Sequence, residues 1–380
     1  MTAFTRIRLR PLGVLLALGA FSALAACGGS ASSSLPPPPA PRHVSSDFVG
    51  LSAAAVLDAR GAKRARGLRA IAASGAGLVR QTFDWAQVEH VRGRFDFSGY
   101  DDSMAATSRA GLSVLPILFH PPPFRSSGPR RAPPNVTYPP RRNADMARFA
   151  AAVVHRYGPR GTFWRHRPSL SRRPIRAWQV WNEPNLPVYW GGHPDARAYV
   201  ALLRAVNIAI KRADPRAEVV AAGLPDSRIG VPFEAYATAM YRAGARSAFD
   251  VLAVHAYAAD ADGVLSAVQL ARALSARFGD GHVPIWLTEV GWASGGPPSA
   301  FTVGPTGQGA RIERMLLELA AQQRSLGVRG VVYYDWQDGR PYAGGGDFFG
   351  LHTGLLELDG KRKPAYDAWV RTVAALRRSR

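Results

Sequence analysis

The sequence predicts a single (β/α)8 barrel, an α/β fold, and three observations support this prediction. Short apolar, β-rich runs alternate with alanine-rich amphipathic segments from residue 46 to the end of the 380-residue chain. Eight such runs occur, and most are continuously apolar, as expected for parallel strands buried on both faces. Polar and aromatic residues gather where the runs end. An open doubly wound sheet is the alternative, but no glycine-rich phosphate fingerprint follows the first run.

The predicted elements follow in chain order. The strands are expected at Phe48–Ser52, Leu78–Thr82, Ser113–Phe119, Ala177–Trp181, Glu218–Ala222, Val251–His255, Ile285–Thr288 and Val331–Tyr334. Helical spacing of apolar residues predicts helices at Arg60–Ser74, Ala144–Tyr157, Ala196–Ala213 and Ala310–Leu326. Glycines follow several apolar helical runs, at the position where a C-terminal glycine commonly ends a helix.

The first 26 residues are typical of a secretory signal. A basic head precedes the apolar stretch Leu12–Leu24, which is too short to span a membrane. Cys27 follows Leu-Ala-Ala and resembles the bacterial lipobox, which implies cleavage before Cys27 and lipid attachment to its sulfur. Ordinary cleavage leaving a free thiol is the alternative. Cys27 is the single cysteine, so no disulfide can form within the chain.

The predicted organisation is a lipoprotein signal peptide at 1–26, a Ser/Pro-rich linker at 27–45 that carries the lipidated Cys27, and a catalytic domain at 46–380. We therefore expect an extracytoplasmic protein held at the cell membrane by its N-terminal lipid, because two or more acyl chains anchor a protein stably. We expect a monomer.

The formal net charge of +21 has two interpretations. It indicates either a polyanionic partner or an arginine- and alanine-rich genome. No nucleic-acid-binding module is present, so a nucleic-acid partner is not expected. The charge is uneven, since Asp145 is the only acid between Arg125 and Arg176. That region could favour anionic surfaces or sugars.

The residues at the strand ends carry the chemistry, because barrel enzymes react at the C-terminal ends of their strands. They are Arg80 and Trp85, His120, Asn182 and Glu183, His255 and Tyr257, Glu289 and Trp292, and Trp336. Glu183 and Glu289 each end an apolar strand on the same side of the barrel. Glycoside hydrolysis uses two such carboxyl groups, one protonated and one ionised.

The motifs Trp-Asn-Glu-Pro-Asn at 181–185 and Thr-Glu-Val-Gly-Trp at 288–292 resemble the two signatures of the clan A retaining glycoside hydrolases, the cellulase-like and xylosidase-like (β/α)8 superfamily. The resemblance implies that Glu183 is the acid/base and Glu289 the nucleophile. Further positions that match the cellulase-like members are Arg80, His120, His255, Tyr257 and Trp336.

Physical arguments assign roles beside the resemblance. Glu183 needs a setting that raises its pKa, whereas Arg80 and the Tyr257 hydroxyl can keep Glu289 ionised. The amide of Asn182 can bind a sugar 2-hydroxyl, and Trp336 offers a flat surface for a sugar ring. Trp85 and Trp292 line sugar subsites or fill the barrel top.

We therefore predict a retaining glycoside hydrolase that cleaves O-glycosidic bonds of a poly- or oligosaccharide by double displacement, without a cofactor or metal. The alternatives are a transglycosylase with the same carboxylates, a non-catalytic glycan-binding barrel of the cell envelope, and a polyanion-binding surface protein. The sequence does not fix the sugar or the linkage.

Overall fold

The computed structural model describes residues 37–133, 135–342 and 345–379. The predicted signal peptide, Cys27 and the first part of the linker lie outside these residues. None of the helices in the described ranges has the length and apolar character needed to cross a membrane.

Nine parallel strands form the central sheet, in the order β5-β4-β3-β2-β1-β9-β8-β7-β6. Their bounds are β1 Val49–Ser52, β2 Leu78–Asp84, β3 Ser113–Phe119, β4 Ala177–Val180, β5 Glu218–Val220, β6 Leu224–Pro225, β7 Leu252–His255, β8 Ile285–Val290 and β9 Val328–Tyr333. Strands β5 and β6 are two halves of one stave, so the nine strands make eight staves.

The ring closes at this divided stave. Strand β5 pairs with β4, and β6 pairs with β7. A parallel bridge joins Val220 to Val251, and the Ala221 amide donates to the Val251 carbonyl at 2.9 Å. The predicted (β/α)8 barrel is therefore confirmed, with its fifth strand interrupted at Ala221–Gly223.

The helices surround the sheet. They are α1 Ala54–Leu57, α2 Gly61–Ala73, α3 Trp85–Val88, α4 Ser98–Arg109, α5 Asn143–Tyr157, α6 Thr162–Arg165, α7 Ala196–Ala213, α8 Phe233–Arg242, α9 Ala261–Arg277, α10 Gly304–Ala321, α11 Gln323–Leu326 and α12 Pro364–Arg378. Helix α7 buries Tyr199, Leu203, Val206 and Ile210, which are spaced three or four residues apart and so share one face.

Two apolar cores hold the barrel together. The smaller core fills the ring with one or two side chains from each stave except the first: Leu78, Leu115, Ala177, Val220, Val251, Ala253, Trp286 and Val332. The larger core lies between the strands and the helices. The carboxyl ends of the strands are thus carried on a packed and rigid base, which is what a site built at those ends requires.

The structure adjusts several predicted bounds. Strand β2 runs on to Asp84, and β9 begins at Val328 rather than Val331. The predicted helix Ala310–Leu326 begins earlier, at Gly304, and divides at Gln322 into α10 and α11. Gly327 ends α11 with a left-handed φ of 63°, as a glycine after a helix is expected to do.

Candidate active site

Arg80 lies at the centre of the polar groups at the strand ends. Its Nη1 donates to Glu289 Oε1 at 2.6 Å, and its Nη2 donates to Asn182 Oδ1 at 2.7 Å. Its Nε donates to Gln179 Oε1 at 3.0 Å. The guanidinium holds its donors in a fixed planar fork. One side chain from β2 therefore orients groups from β4, β8 and the turn after β4.

His255 lies between the two glutamates. Its Nδ1 is 2.5 Å from Glu183 Oε1, and its Nε2 is 3.6 Å from Glu289 Oε1. Strands β7 and β8 place His255 directly beside Glu289 in register. One ligand atom from each of Glu183, His255 and Glu289 lies within 4.8 Å of the others. Such groups can bind a divalent cation, but here Arg80 already supplies a positive charge to Glu289.

The two carboxyl groups titrate in opposite directions. Burial raises the pKa of Glu183, and the negative charge of Glu289 adds to this, so the pKa lies above its ordinary value although His255 opposes it. Burial also acts to raise the pKa of Glu289, but His255, Arg80 and the Tyr257 hydroxyl outweigh it and lower the pKa. The site therefore favours a protonated Glu183 beside an ionised Glu289.

The backbone around Glu183 is strained and closely packed. Trp181 and Glu183 have φ values of 72° and 44°, and the Glu183 amide donates to the Gly223 carbonyl at 3.2 Å. A Cβ at Gly223 would lie 2.0 Å from His255 Nε2. Left-handed non-glycine residues are rare and concentrate at functional sites. Gly223 lies in the gap between β5 and β6, and a side chain at this position would occupy the space that His255 fills.

A cavity of about 1200 Å³ opens at these strand ends and continues toward the groove between α2 and α4. Near the glutamates its lining residues are Arg80, His120, Asn182, Tyr189, Glu289, Tyr334 and Asp335. Glu183 itself is 0% exposed, and among the described residues its Oε2 has no hydrogen-bond partner. Glu289 is therefore open to the cavity, and Glu183 lies behind residues that line it.

Two other predicted site residues reach this region. The Tyr257 hydroxyl donates to Glu289 Oε2 at 3.0 Å. His120 lines the cavity, with Nδ1 3.5 Å from Asp84 Oδ2, and has a left-handed φ of 53°.

The structure does not bring the three predicted tryptophans to the cavity. Trp85 stacks on Phe149 and donates Nε1 to Glu89 at 2.6 Å. Trp292 is fully buried and donates Nε1 to the Ala258 carbonyl. Trp336 is 3% exposed and packs against Tyr366. Each fills space around the barrel top, so the prediction that Trp85, Trp292 and Trp336 bind substrate is corrected.

Four further residues lie in the site: Gln179, Tyr189, Tyr334 and Asp335. Gln179 is a polar residue within an apolar strand, a signal that could have identified it. Tyr189 and Tyr334 line the cavity, and the buried Tyr189 hydroxyl has no partner among the described residues. Asp335 accepts a hydrogen bond from the Trp336 amide at 2.5 Å, and burial raises the pKa of Asp335 to about 8. Asp335 also lines the cavity.

Comparison with known proteins relates the chain to glycosidases. A family model described as glycosyl hydrolase catalytic core matches residues 166–316, which include both glutamates. The chain is a glycoside hydrolase. The predicted resemblance to glycoside hydrolases is thereby confirmed. No curated protein sequence matches the chain.

Solved glycosidases share the fold of this glycoside hydrolase. A family 39 glycoside hydrolase from Bacteroides cellulosilyticus WH2 superposes with a TM-score of 0.61 at 19% identity, over 89% of this chain and 66% of the other. A monomeric beta-xylosidase from Caulobacter crescentus CB15 gives 0.62 at 19% identity, over 88% and 69%. The Ignisphaera aggregans GH53 catalytic domain gives 0.57 at 18% identity, over 88% and 99%.

At these identities the likeness establishes the fold. The glycosidase spans about two thirds of the length of the first two of these chains.

Proposed function

We propose that this glycosidase hydrolyses O-glycosidic bonds of an oligo- or polysaccharide with retention of configuration, using Glu289 as nucleophile and Glu183 as acid/base. The observation that carries the proposal is the close approach of two carboxyl groups whose pKa values shift in opposite directions. Retaining enzymes place their carboxyl groups about 5–5.5 Å apart, whereas inverting enzymes leave about 6.5–9.5 Å for a water molecule.

In the first step the Glu289 carboxylate attacks the anomeric carbon. The bond from that carbon to the leaving oxygen breaks, and the Glu183 carboxyl gives its proton to that oxygen. A glycosyl ester of Glu289 and a neutral leaving group result. Arg80 and Tyr257 bind the two oxygens of Glu289, so they favour the ionised nucleophile and orient it.

In the second step Glu183 changes role. The ester has removed the negative charge of Glu289, so the pKa of Glu183 falls and its carboxylate can accept a proton from water. The water oxygen bonds to the anomeric carbon, the ester bond breaks, and the Glu289 carboxylate is released. Two displacements restore the original configuration.

Access to Glu183 sets a condition on this scheme. Glu183 has no exposed surface, while its neighbours Asn182 and Tyr189 line the cavity. The acid/base role therefore requires that Glu183 Oε2 becomes accessible when substrate binds. Closing or opening of segments around a substrate is common in enzymes.

Asn182 and Tyr334 are the proposed sugar contacts. The Asn182 side-chain oxygen accepts a hydrogen bond from Arg80. The amide nitrogen of Asn182 is therefore the atom available to donate to a sugar hydroxyl. Tyr334 borders the cavity beside Glu289 and offers the aromatic surface that the sequence assigned to Trp336. A hydrogen bond from Asn182 to a sugar 2-hydroxyl would strengthen in an oxocarbenium-like transition state.

Hydrolysis of a panel of aryl glycosides tests this function. The panel should begin with xylosides, because a structural relative is a beta-xylosidase. We expect the wild-type enzyme to hydrolyse at least one substrate. Glu289→Gln and Glu183→Gln should each reduce kcat/KM at least ~10²-fold. Full activity in either variant would contradict the assignment of Glu289 and Glu183. Transfer of the sugar to an added alcohol instead of water would indicate a transglycosylase.

A further inference from the structure

A second concave site lies beside the catalytic cavity, on the loops that follow β2 and β3. It encloses about 420 Å³ and is lined by Arg92, Phe124, Arg125, Arg141, Arg142 and Asp145. We call it the arginine pocket. It adjoins the substrate side of the barrel. The catalytic cavity is lined by Gln87 and His90, which come just before Arg92 in the chain, and by His120, which comes just before Phe124.

A buried glutamate fixes the two segments that form the arginine pocket. Glu89 is 1% exposed and its Oε1 accepts from the Gly93 amide at 2.6 Å, which holds the turn that carries Arg92. The same oxygen accepts from Arg125 Nη2 at 2.7 Å. Arg125 Nη1 also lies 3.1 Å from Asp145 Oδ2. The floor of the pocket is therefore tied to α3 and α5.

The base of the loop after β3 is closed by backbone contacts. The Arg141 amide donates to the Arg125 carbonyl at 2.7 Å, and an antiparallel bridge joins Ser126 to Pro140. Arg125 and Arg141 are thus neighbours across a closed loop. This geometry holds the pocket in shape independently of the tip of the loop.

The positive charges of the arginine pocket are only partly neutralised. Arg125 pairs with Glu89 and Asp145, and Arg142 pairs with Asp145. Arg92 and Arg141 instead donate to backbone carbonyls, those of Phe124 at 2.9 Å and Ser126 at 2.6 Å. Among the described residues, neither guanidinium has a carboxylate partner. Both keep further N–H donors at the wall of a preformed concave site.

We propose that the arginine pocket binds the carboxylate of an acidic sugar residue, a uronate, carried by the glycan that enters the catalytic cavity. A guanidinium matches a carboxylate with two parallel hydrogen bonds. The position beside the cavity favours a glycan over a lipid headgroup as the source of the anion. The inference names a substrate class for the proposed hydrolase and rests on that function.

Calorimetric titration with oligogalacturonates and with their methyl esters tests this inference. The ester keeps the sugar chain and removes the charge. We expect the free acid to bind at least ~10-fold more tightly than the ester to the wild-type enzyme. Arg92→Gln/Arg141→Gln should abolish this preference, and Arg92→Lys/Arg141→Lys should retain part of it, because lysine keeps the charge but loses the fork.

Arg212→Gln/Arg371→Gln is the matched control, because it removes two charges from exposed positions on α7 and α12. It should keep the preference for the acid. Equal binding of acid and ester, or equal losses in both double variants, would overturn the inference. So would tighter binding to phosphatidylglycerol vesicles than to the oligogalacturonate. Failure of the hydrolase proposal shows separately, as absent cleavage of aryl glycosides.

Discussion

Arg80 is one of the groups that lower the pKa of Glu289, together with His255 and Tyr257. It is buried and donates to Glu289, Asn182 and Gln179. Lysine would keep the charge but could not make three divergent hydrogen bonds. The ionised state of Glu289 thus depends on the shape of the side chain at residue 80 as well as on its charge.

The pH profile of Arg80→Lys tests this dependence. Activity needs an ionised Glu289 and a protonated Glu183, so kcat/KM should rise with pH as Glu289 ionises and fall as Glu183 ionises. Arg80→Lys should raise the pKa of Glu289, shift the acidic limb to higher pH and reduce the maximum ~10²–10³-fold. The exposed Arg371→Lys should change neither. An unshifted acidic limb would contradict the role of Arg80.

The raised pKa of Asp335 leads to a separate prediction about stability. Burial raises the pKa of Asp335 to about 8 from an ordinary value of 3.8. A protein whose carboxyl group binds its proton more tightly in the folded than in the unfolded state becomes less stable as pH rises through this interval. Asp335→Asn keeps an acceptor for the Trp336 amide and cannot ionise. The melting temperature of Asp335→Asn, measured relative to that of the wild type, should therefore increase between pH 5 and pH 9. A difference in melting temperature that does not change with pH would refute the raised pKa of Asp335.

At the scale of elements, the divided fifth stave explains how His255 reaches both glutamates. Residues 221–223 separate β5 from β6, and Gly223 leaves the space that His255 occupies. The glycine is needed here for close approach. A side chain would push His255 away from Glu183 and Glu289.

Gly223→Ala should therefore impair catalysis. We expect kcat/KM to fall ~10²-fold or more, because misplacement of a site group by about 1 Å can have such an effect. Gly295→Ala is the control, since nothing lies within 4 Å of a Cβ at Gly295, and its activity should match wild type. Wild-type activity in Gly223→Ala, with both variants folded by circular dichroism, would show that His255 tolerates the displacement.

The strands were predictable and the side-chain directions at their ends were less so. Continuous apolar runs identified all eight staves, because strands buried on both faces have few polar positions. Strand β9 ends at Tyr333, and beyond it the alternation of side chains no longer fixes their direction. Tyr334 therefore meets the cavity while Trp336 packs into the protein. The motifs at 181–185 and 288–292 predicted Glu183 and Glu289, whose carboxyl groups the structure brings close together. The role of Gly223 was not predictable, because it depends on a contact between distant segments.

At the scale of the whole molecule, the net charge of +21 needs a local interpretation. Many arginines pair with acids or backbone carbonyls, as Arg156 does with Asp101 and Arg272 with Leu326. Arg92 and Arg141 differ because they lie at a concave site beside the cavity. The overall charge would still speed the encounter with an acidic glycan, and salt would screen this effect.

The membrane anchor stays a prediction, since Cys27 lies outside the described residues. Cell fractionation of the full-length protein and Cys27→Ser tests it. The wild type should remain with membranes after a high-salt wash, whereas Cys27→Ser should be released, because a lipid anchor depends on that sulfur and resists salt. Membrane retention of Cys27→Ser would refute the lipobox interpretation.

The identity of the nucleophile is the central claim and can be measured directly. A 2-deoxy-2-fluoro glycoside of the sugar that the wild-type enzyme hydrolyses, carrying a good leaving group, should trap the glycosyl ester, because fluorine destabilises the oxocarbenium-like transition state of its hydrolysis. Peptide mass spectrometry should find one sugar on Glu289 and none in Glu289→Gln. A stable label on Glu183, Asp335 or any other residue would contradict the account.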